Sequence, residues 1–263
     1  MIKTTAQRIY VALIFIFLYA PIATLMVLSF NASKSRAKWG GFTFKWYASL
    51  FENEAILKAL GNTLLIAFLS AIFATLIGTA ACIAMQHMKR KGRALLIGIA
   101  NIPMLNAEIV TGISLMLLFI FLGIKFGFMT ILLAHITFNI PYVILSVMPR
   151  VKQLSPSTYE AALDLGASHL QAFFKVVFPD ILPGIVSGFI MAFTMSLDDF
   201  IITYFTKGAG IDTLSTKIYT EVRKGIKPEM YALSTLIFVT VLILLLLVNY
   251  APRKKQDTHS AKK

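Results

Sequence analysis

The sequence predicts an all-α integral membrane protein, and three observations carry that reading. Of its 263 residues, 57% are hydrophobic and only 14% are charged, where soluble domains carry about 25% charged residues. Six separate apolar stretches are each long enough, at roughly 20 residues, to cross a hydrocarbon core of about 30 Å. The period-2 alternation of a membrane β-barrel is absent. Without water in that core, backbone polar groups must bond within their own segment, so the stretches are expected to be helices.

The six runs are Ile9–Phe30, Gly61–Met85, Ala94–Ile124, Phe126–Met148, Ile181–Phe205 and Met230–Pro252. Trimmed to bilayer length, they predict spans at about 9–30, 61–85, 97–122, 128–148, 183–205 and 230–250 of a single transmembrane domain, 1–263. The first run follows Lys3 and Arg8 and exceeds a usual secretory h-region, so an uncleaved first helix is expected. The second carries small residues at four-residue spacing (Ser70, Ala74, Gly78 and Cys82), and the fifth does likewise with Gly184, Gly188, Ala192 and Ser196. Such stripes let helices approach closely in lipid, within one subunit or between subunits. Cys82, the single cysteine, excludes a disulfide framework and reads as a packed small side chain. The sixth run, rich in Leu, Val and Ile, reads as lipid-facing.

Four runs hold no Asp, Glu, Lys or Arg; the third holds Glu108 and the fifth holds Asp198 and Asp199. An acid at a helix centre costs roughly 2.5–3.5 kcal/mol on translocon scales, so intramembrane acids normally have a task. These three are therefore candidate substrate-pathway residues for a cation. The bland reading is that they pair with Lys or Arg of neighbouring subunits, or that Asp198 and Asp199 end a helix at the outer surface. Adjacent helix positions differ by about 100°, so both aspartates face one pathway only if the helix unwinds there. Mid-span His135 reads as a hydrogen-bonded helix contact, with a proton relay as the alternative.

Orientation follows from the flanking Lys and Arg. An inside N-terminus places 14 of the 25 basic residues inside and 11 outside. Density decides the matter better. Lys89, Arg90, Lys91 and Arg93 crowd one loop, and Arg253-Lys254-Lys255 follows the last run. Both termini are expected in the cytoplasm, with 253–263 a polar tail. The net charge of +13 is spread over both faces, which fits topology and anionic lipid headgroups better than a nucleic-acid partner.

Between the fourth and fifth runs lies QLSPSTYEAALDLGASHLQAFFKVVFPDILP, residues 153–183. Ser157 with Glu160, and Ser168 with Gln171, match capping boxes. Gly166 suits a left-handed helix stop, and Pro179 is expected to end the second helix. Two short amphipathic helices over 156–179 follow. Glu160, Asp164 and Asp180 offset Lys175, so no basic face exists for a lipid surface, and a docked protein partner is the better reading.

Glu160-Ala161-Ala162, then Gly166 three residues on, then Pro179 nine residues and a V-x-F later, resembles the EAA motif of binding-protein-dependent ABC permeases. Val176 and Phe178 stand where that pattern has Ile and Leu, and both stay apolar. The resemblance implies that this helix pair inserts into a cleft of a separate ATPase subunit, with Glu160, Ala161, Ala162, Gly166 and Pro179 as the coupling residues. The stretch SFNASKSRAKWGGFTFKWYASL after the first run, AHITFNIPYV in the fourth and FTMSLDDFIITYF in the fifth resemble polyamine-type permeases, most of all the second permease subunit of spermidine/putrescine importers. That implies a partner permease, two ATP-binding subunits, an extracytoplasmic solute-binding protein and a polyamine cargo.

The chain has no G-x-x-x-x-G-K-[ST] phosphate loop, no H-E-x-x-H and no paired cysteines, so neither ATP hydrolysis, a cofactor nor a metal is expected of it. Gly208 and Gly210 mark only a turn. Rival readings are a permease of the same superfamily for another small solute, an ion-coupled secondary transporter, and a structural membrane subunit. The secondary transporter leaves the EAA segment unexplained and shows no inverted repeat. The structural subunit leaves the intramembrane acids without a purpose.

Overall fold

The computed structural model describes residues 2–250 except 36, 87 and 226, and of 2–6, 156, 241 and 244–250 it describes the backbone alone. The expected tail at 253–263 lies outside the described residues. In chain order the helices are α1 (Ile2–Ser29), α2 (Lys45–Glu52), α3 (Glu54–Gln86), α4 (Arg90–Leu105), α5 (Glu108–Phe121), α6 (Phe128–Gln153), α7 (Pro156–Asp164) and α8 (His169–Ala172). A π-helical turn at Phe173–Val177 leads into α9 (Phe178–Asp198), followed by α10 (Ile201–Thr206), α11 (Leu214–Lys224) and α12 (Pro228–Tyr250). Among the described residues the only strand-like feature is the isolated bridge between Asn31 and Phe42.

Among the described residues, four stretches are each long and apolar enough to cross a membrane: Gln7–Ser29, Glu54–Gln86, Phe128–Gln153 and His169–Asp198. The third sequence run is not one helix. It is the pair α4 and α5, bent by 104°. Asn106 and Ala107 are extended at the break, and Pro103, which has no amide to donate, sits in the last turn of α4. Apolarity alone carries no record of such a break, because both arms remain oily.

The chain divides into two compact units, Met1–Glu54 with Thr220–Lys263, and Ala55–Tyr219. In the first unit the loop after α1 is organised by Asn31. Its side chain accepts the amides of Ser33 (3.1 Å) and Gly40 (2.8 Å) and donates to the Lys38 carbonyl (2.9 Å). The indole of Trp46 donates to the Asn31 carbonyl at 2.7 Å, and Phe30, Phe42, Phe44 and Tyr47 pack ring on ring. The Ser-Phe-Asn and Trp-Tyr pieces of the sequence are thus one built loop.

In the second unit α6 is the central helix, and α3 and α9 pack on it through their small residues. A Cβ on Gly78 would sit 2.8 Å from Cγ1 of Val143, and one on Gly184 would sit 2.9 Å from Cγ of Arg150 and 3.1 Å from the Ser146 carbonyl. Cys82 faces the Ile144 carbonyl from its own buried site. Both stripes therefore serve packing within the subunit. The core between them holds Ala71, Ala74, Val143, Val147, Ile181 and Ala192. A smaller apolar cluster of Leu115, Phe119, Ala134, Phe138 and Ile202 joins α5, α6 and α10.

Candidate functional site

Glu108 opens α5, with its carboxylate in the first turn, where the helix's free amides and positive dipole end favour negative charge. The sequence placed it mid-span; the bend moves it to a helix start. Asp198 is the last residue of α9, and its neighbour Asp199 leaves helical geometry at φ −59°, ψ 127°. The two acids then part. Asp198 is exposed. The Asp199 side chain is only 4% exposed, and it accepts the amides of Ile202 (3.2 Å) and Thr203 (2.8 Å) and the Thr203 hydroxyl (2.7 Å). It thereby caps α10.

His135 of α6 meets the same carboxylate. Its ring is 1% exposed, with Nε2 3.3 Å from Oδ2 of Asp199 and 2.9 Å from the Thr203 hydroxyl. Its Nδ1 lies 2.5 Å from the Ser196 hydroxyl, Ser196 is 3.1 Å from Ser70, and the amide of Asn139 reaches Ser70 at 3.5 Å. A polar chain thus crosses the packed interface of α3, α6, α9 and α10. His135 is a helix-to-helix hydrogen-bonding residue, in line with the simpler of the two sequence readings. The sequence did not reveal that its partner is Asp199. The one hint was spacing, since Ser196 and Asp199 are three residues apart and share a helix face.

Glu108, Asp198 and Asp199 line one cavity of about 270 Å³, walled also by Thr111, Phe138, Tyr142 and Phe200. Residues about 90 positions apart are brought together because α5 packs on α10: the Cβ position of Gly112 lies 3.1 Å from Phe205 and 3.5 Å from the Ile201 carbonyl. The cavity sits where both broken helices lose their regular backbone. Non-helical backbone at membrane depth is tolerated where it lines a cavity. Asp198 is the last residue of α9, and the C-terminal end of a helix carries partial negative charge, which favours a cation beside it. The arrangement suits a cation whose alkyl part lies on aromatic faces.

The second group of sequence-predicted residues assembles elsewhere. Glu160, Ala161 and Ala162 lie on α7, which begins with Pro156 at its first turn and Ser155 as its cap position. The expected Ser157–Glu160 capping box does not form; Ser157 bonds the Ser155 hydroxyl at 2.6 Å instead, and proline at the first turn starts the helix without it. Gly166 does stop α7, at φ +87°. The amides of Gly166 and Ala167 return to the carbonyls of Leu163 (2.9 Å) and Ala162 (3.1 Å), the paired bonds of a Schellman stop. Ser168 and Gln171 form the second capping box as expected.

Pro179 does not end the following helix. The wider π turn, with the Phe178 amide bonding the Phe173 carbonyl, relieves the clash a proline ring makes with the carbonyl four residues back. The helical path from His169 therefore runs on to Asp198. Between α7, the π turn and the start of α9 lies a second cavity of about 580 Å³, lined by Tyr159, Glu160, Phe173 and Val176 among others. Leu165 and Leu170 stand 89% and 72% exposed at the turn between the short helices.

Comparison with known proteins gives this geometry a family. The chain is 37% identical over 246 residues to the spermidine/putrescine transport system permease protein PotC of Escherichia coli K12, covering 94% of this chain and 93% of that one. It is 39% identical over 245 residues to the putrescine transport system permease protein PotI of the same organism, covering 89% and 86%. In fold it is similar to a bacterial ABC transporter involved in import of the acidic polysaccharide alginate, with TM-score 0.73 at 17% identity over 97% of this chain and 96% of that one. Residues 76–253 match the family model described as binding-protein-dependent transport system inner membrane component. The chain, with its broken helices and its EAA helix pair, belongs to that family of transport permeases.

Proposed function

We propose that this chain is the membrane-spanning permease subunit of an ATP-driven importer and that its cargo is a polyamine such as putrescine or spermidine. The observation that carries the cargo is the cavity. It gathers Glu108, Asp198 and Asp199 with aromatic walls, a chemistry matched to alkylammonium groups and mismatched to anions. Relatives named for spermidine and putrescine transport, at 37% and 39% identity, support the same cargo.

In this reading Glu108 and Asp198 hold successive ammonium groups weakly enough to release them, and Asp199 backs them from the interior. The chain supplies six spans with both termini cytoplasmic, and the tail 253–263 follows the last. Energy enters through two ATP-binding subunits, one of which receives α7 and α8 in a groove, with exposed Leu165 and Leu170 as apolar anchors. A second permease completes the pathway, and an extracytoplasmic solute-binding protein delivers cargo.

The test is uptake of labelled putrescine and spermidine in a strain lacking this gene, complemented by wild type, Glu108→Gln or Asp198→Asn. Wild type restores uptake, and each variant loses most of it while still assembling. Wild-type rates from both variants overturn the cation pathway.

A further inference from the structure

Asp198 and Asp199 are adjacent, yet only one is free to meet cargo. Asp199 is 4% exposed, and its two oxygens accept two backbone amides, a hydroxyl and the ring of His135. A carboxylate so occupied has little left to offer an ammonium group. Its bonds to Ile202 and Thr203 instead fix where α10 starts, and therefore the angle at which the chain breaks after Asp198. His135 holds that break from the neighbouring helix. Its Nε2 side engages Asp199 and Thr203, and its Nδ1 side engages Ser196, one turn back on α9. One ring thus bridges both sides of the break, anchored to α6, while Ser70 and Asn139 continue the chain into α3 and α6.

We propose that His135 is the positioning residue of the pathway: through Asp199 and Ser196 it clamps the α9–α10 break in the geometry that turns Asp198 to the cargo. The charged group in direct contact with it is Asp199, which lines the cavity together with Asp198 and Glu108. His135 does not line that cavity. Its effect on cargo passes through the backbone of residues 198–200, so removal of His135 acts on cargo only through Asp198. This inference rests on the polyamine-pathway reading above and goes beyond it by assigning a role to a residue out of reach of cargo.

The experiment is a double-mutant cycle in membrane vesicles, with binding protein and ATPase held constant. Uptake per assembled complex and the spermidine-to-putrescine uptake ratio are read for His135→Ala, Asp198→Asn and the double variant. The ratio is internal to each vesicle preparation, so lower abundance from a merely structural defect does not move it. His135→Ala should lower uptake by about tenfold, the effect of one lost charge-assisted contact, and shift the ratio in the same direction as Asp198→Asn. The double variant should be no worse than Asp198→Asn alone, because acting through one group makes effects non-additive. His135→Gln retains a donor toward Asp199 and should restore most uptake and the wild-type ratio. It also decides the matter where His135→Ala fails to assemble.

A wild-type ratio in assembled His135→Ala, effects that multiply in the double variant, or His135→Gln as impaired as Asp198→Asn each overturn the proposal. Failure of the underlying reading looks different, since Glu108→Gln and Asp198→Asn would then both transport like wild type.

Discussion

Gly184 shows how closely α9 is seated, and it yields a sharp contrast with Gly98. A Cβ at Gly184 would lie 3.1 Å from the Ser146 carbonyl and 3.3 Å from Cα of Val147, both backbone atoms of α6, and 2.9 Å from the Arg150 side chain. A Cβ at Gly98 meets nothing within 4 Å. Gly184→Ala should therefore force α6 and α9 apart, at a cost of about 1–3 kcal/mol. Gly98→Ala should cost nothing and can gain up to about 1 kcal/mol of helix propensity. Thermal unfolding of the purified assembly in detergent checks the pair; equal midpoints would contradict this packing. At the same scale, Asp199→Ala removes a cap as well as a charge, worth roughly 0.5–2 kcal/mol. It should lower thermal stability, whereas Asp198→Asn, at an exposed position, should leave stability intact and impair uptake.

Among the elements, the segment from α7 to the π turn has the form of a lever: a stiff helix, a hinge glycine, and a helical path that continues into a membrane span. Gly166 holds φ +87° with open space around its Cβ position, so backbone conformation alone, and not crowding, disfavours a side chain there. A β-branched residue would strain that left-handed turn by about 1–2 kcal/mol. Gly166→Val is expected to insert and assemble but to hydrolyse ATP without transport, and Gly166→Asn to be milder, because Asn tolerates this conformation better. Parallel assays of ATPase activity and uptake decide, and normal coupling in Gly166→Val refutes the lever. Gly166 and the Ser168–Gln171 cap were legible in the sequence because they are local: three or four residues contain the whole interaction. The 104° bend before Glu108 was not, because oily residues continue on both sides of Asn106 and Ala107. Pro179 misled for a related reason. Proline stops an α-helix, yet one widened turn gives its ring room, and the sequence carries no separate mark for that turn. The three acids were legible as oddities within apolar runs. Their gathering in one cavity depends on α5 packing against α10, a tertiary contact.

For the molecule in its bilayer, the exposed acids set the strongest constraint. Glu108 and Asp198 are both exposed in the isolated chain, on elements flanked by lipid-type surface such as Phe121, 86% exposed, and Leu117, 57% exposed. A carboxylate turned to hydrocarbon costs roughly 2.5–3.5 kcal/mol on translocon scales and more by other accounts. Two such groups would take a large part of the roughly 5–15 kcal/mol by which a protein is stable. The acids must therefore meet water or another protein, and one chain with an open acid-lined cavity does not exclude lipid from it. A second permease laid over this face would seal the cavity into a pathway and cover the acids. The expectation is that this chain, reconstituted with ATPase and binding protein but without a partner permease, shows no ATP-driven putrescine uptake, and that adding the partner restores it. Cross-linking from a cysteine at Thr111, whose residue lines the same cavity, should capture the partner permease rather than a second copy of this chain. Full uptake from this chain as the sole permease would show that its acids find cover without a partner, and the two-subunit pathway would fall with that result.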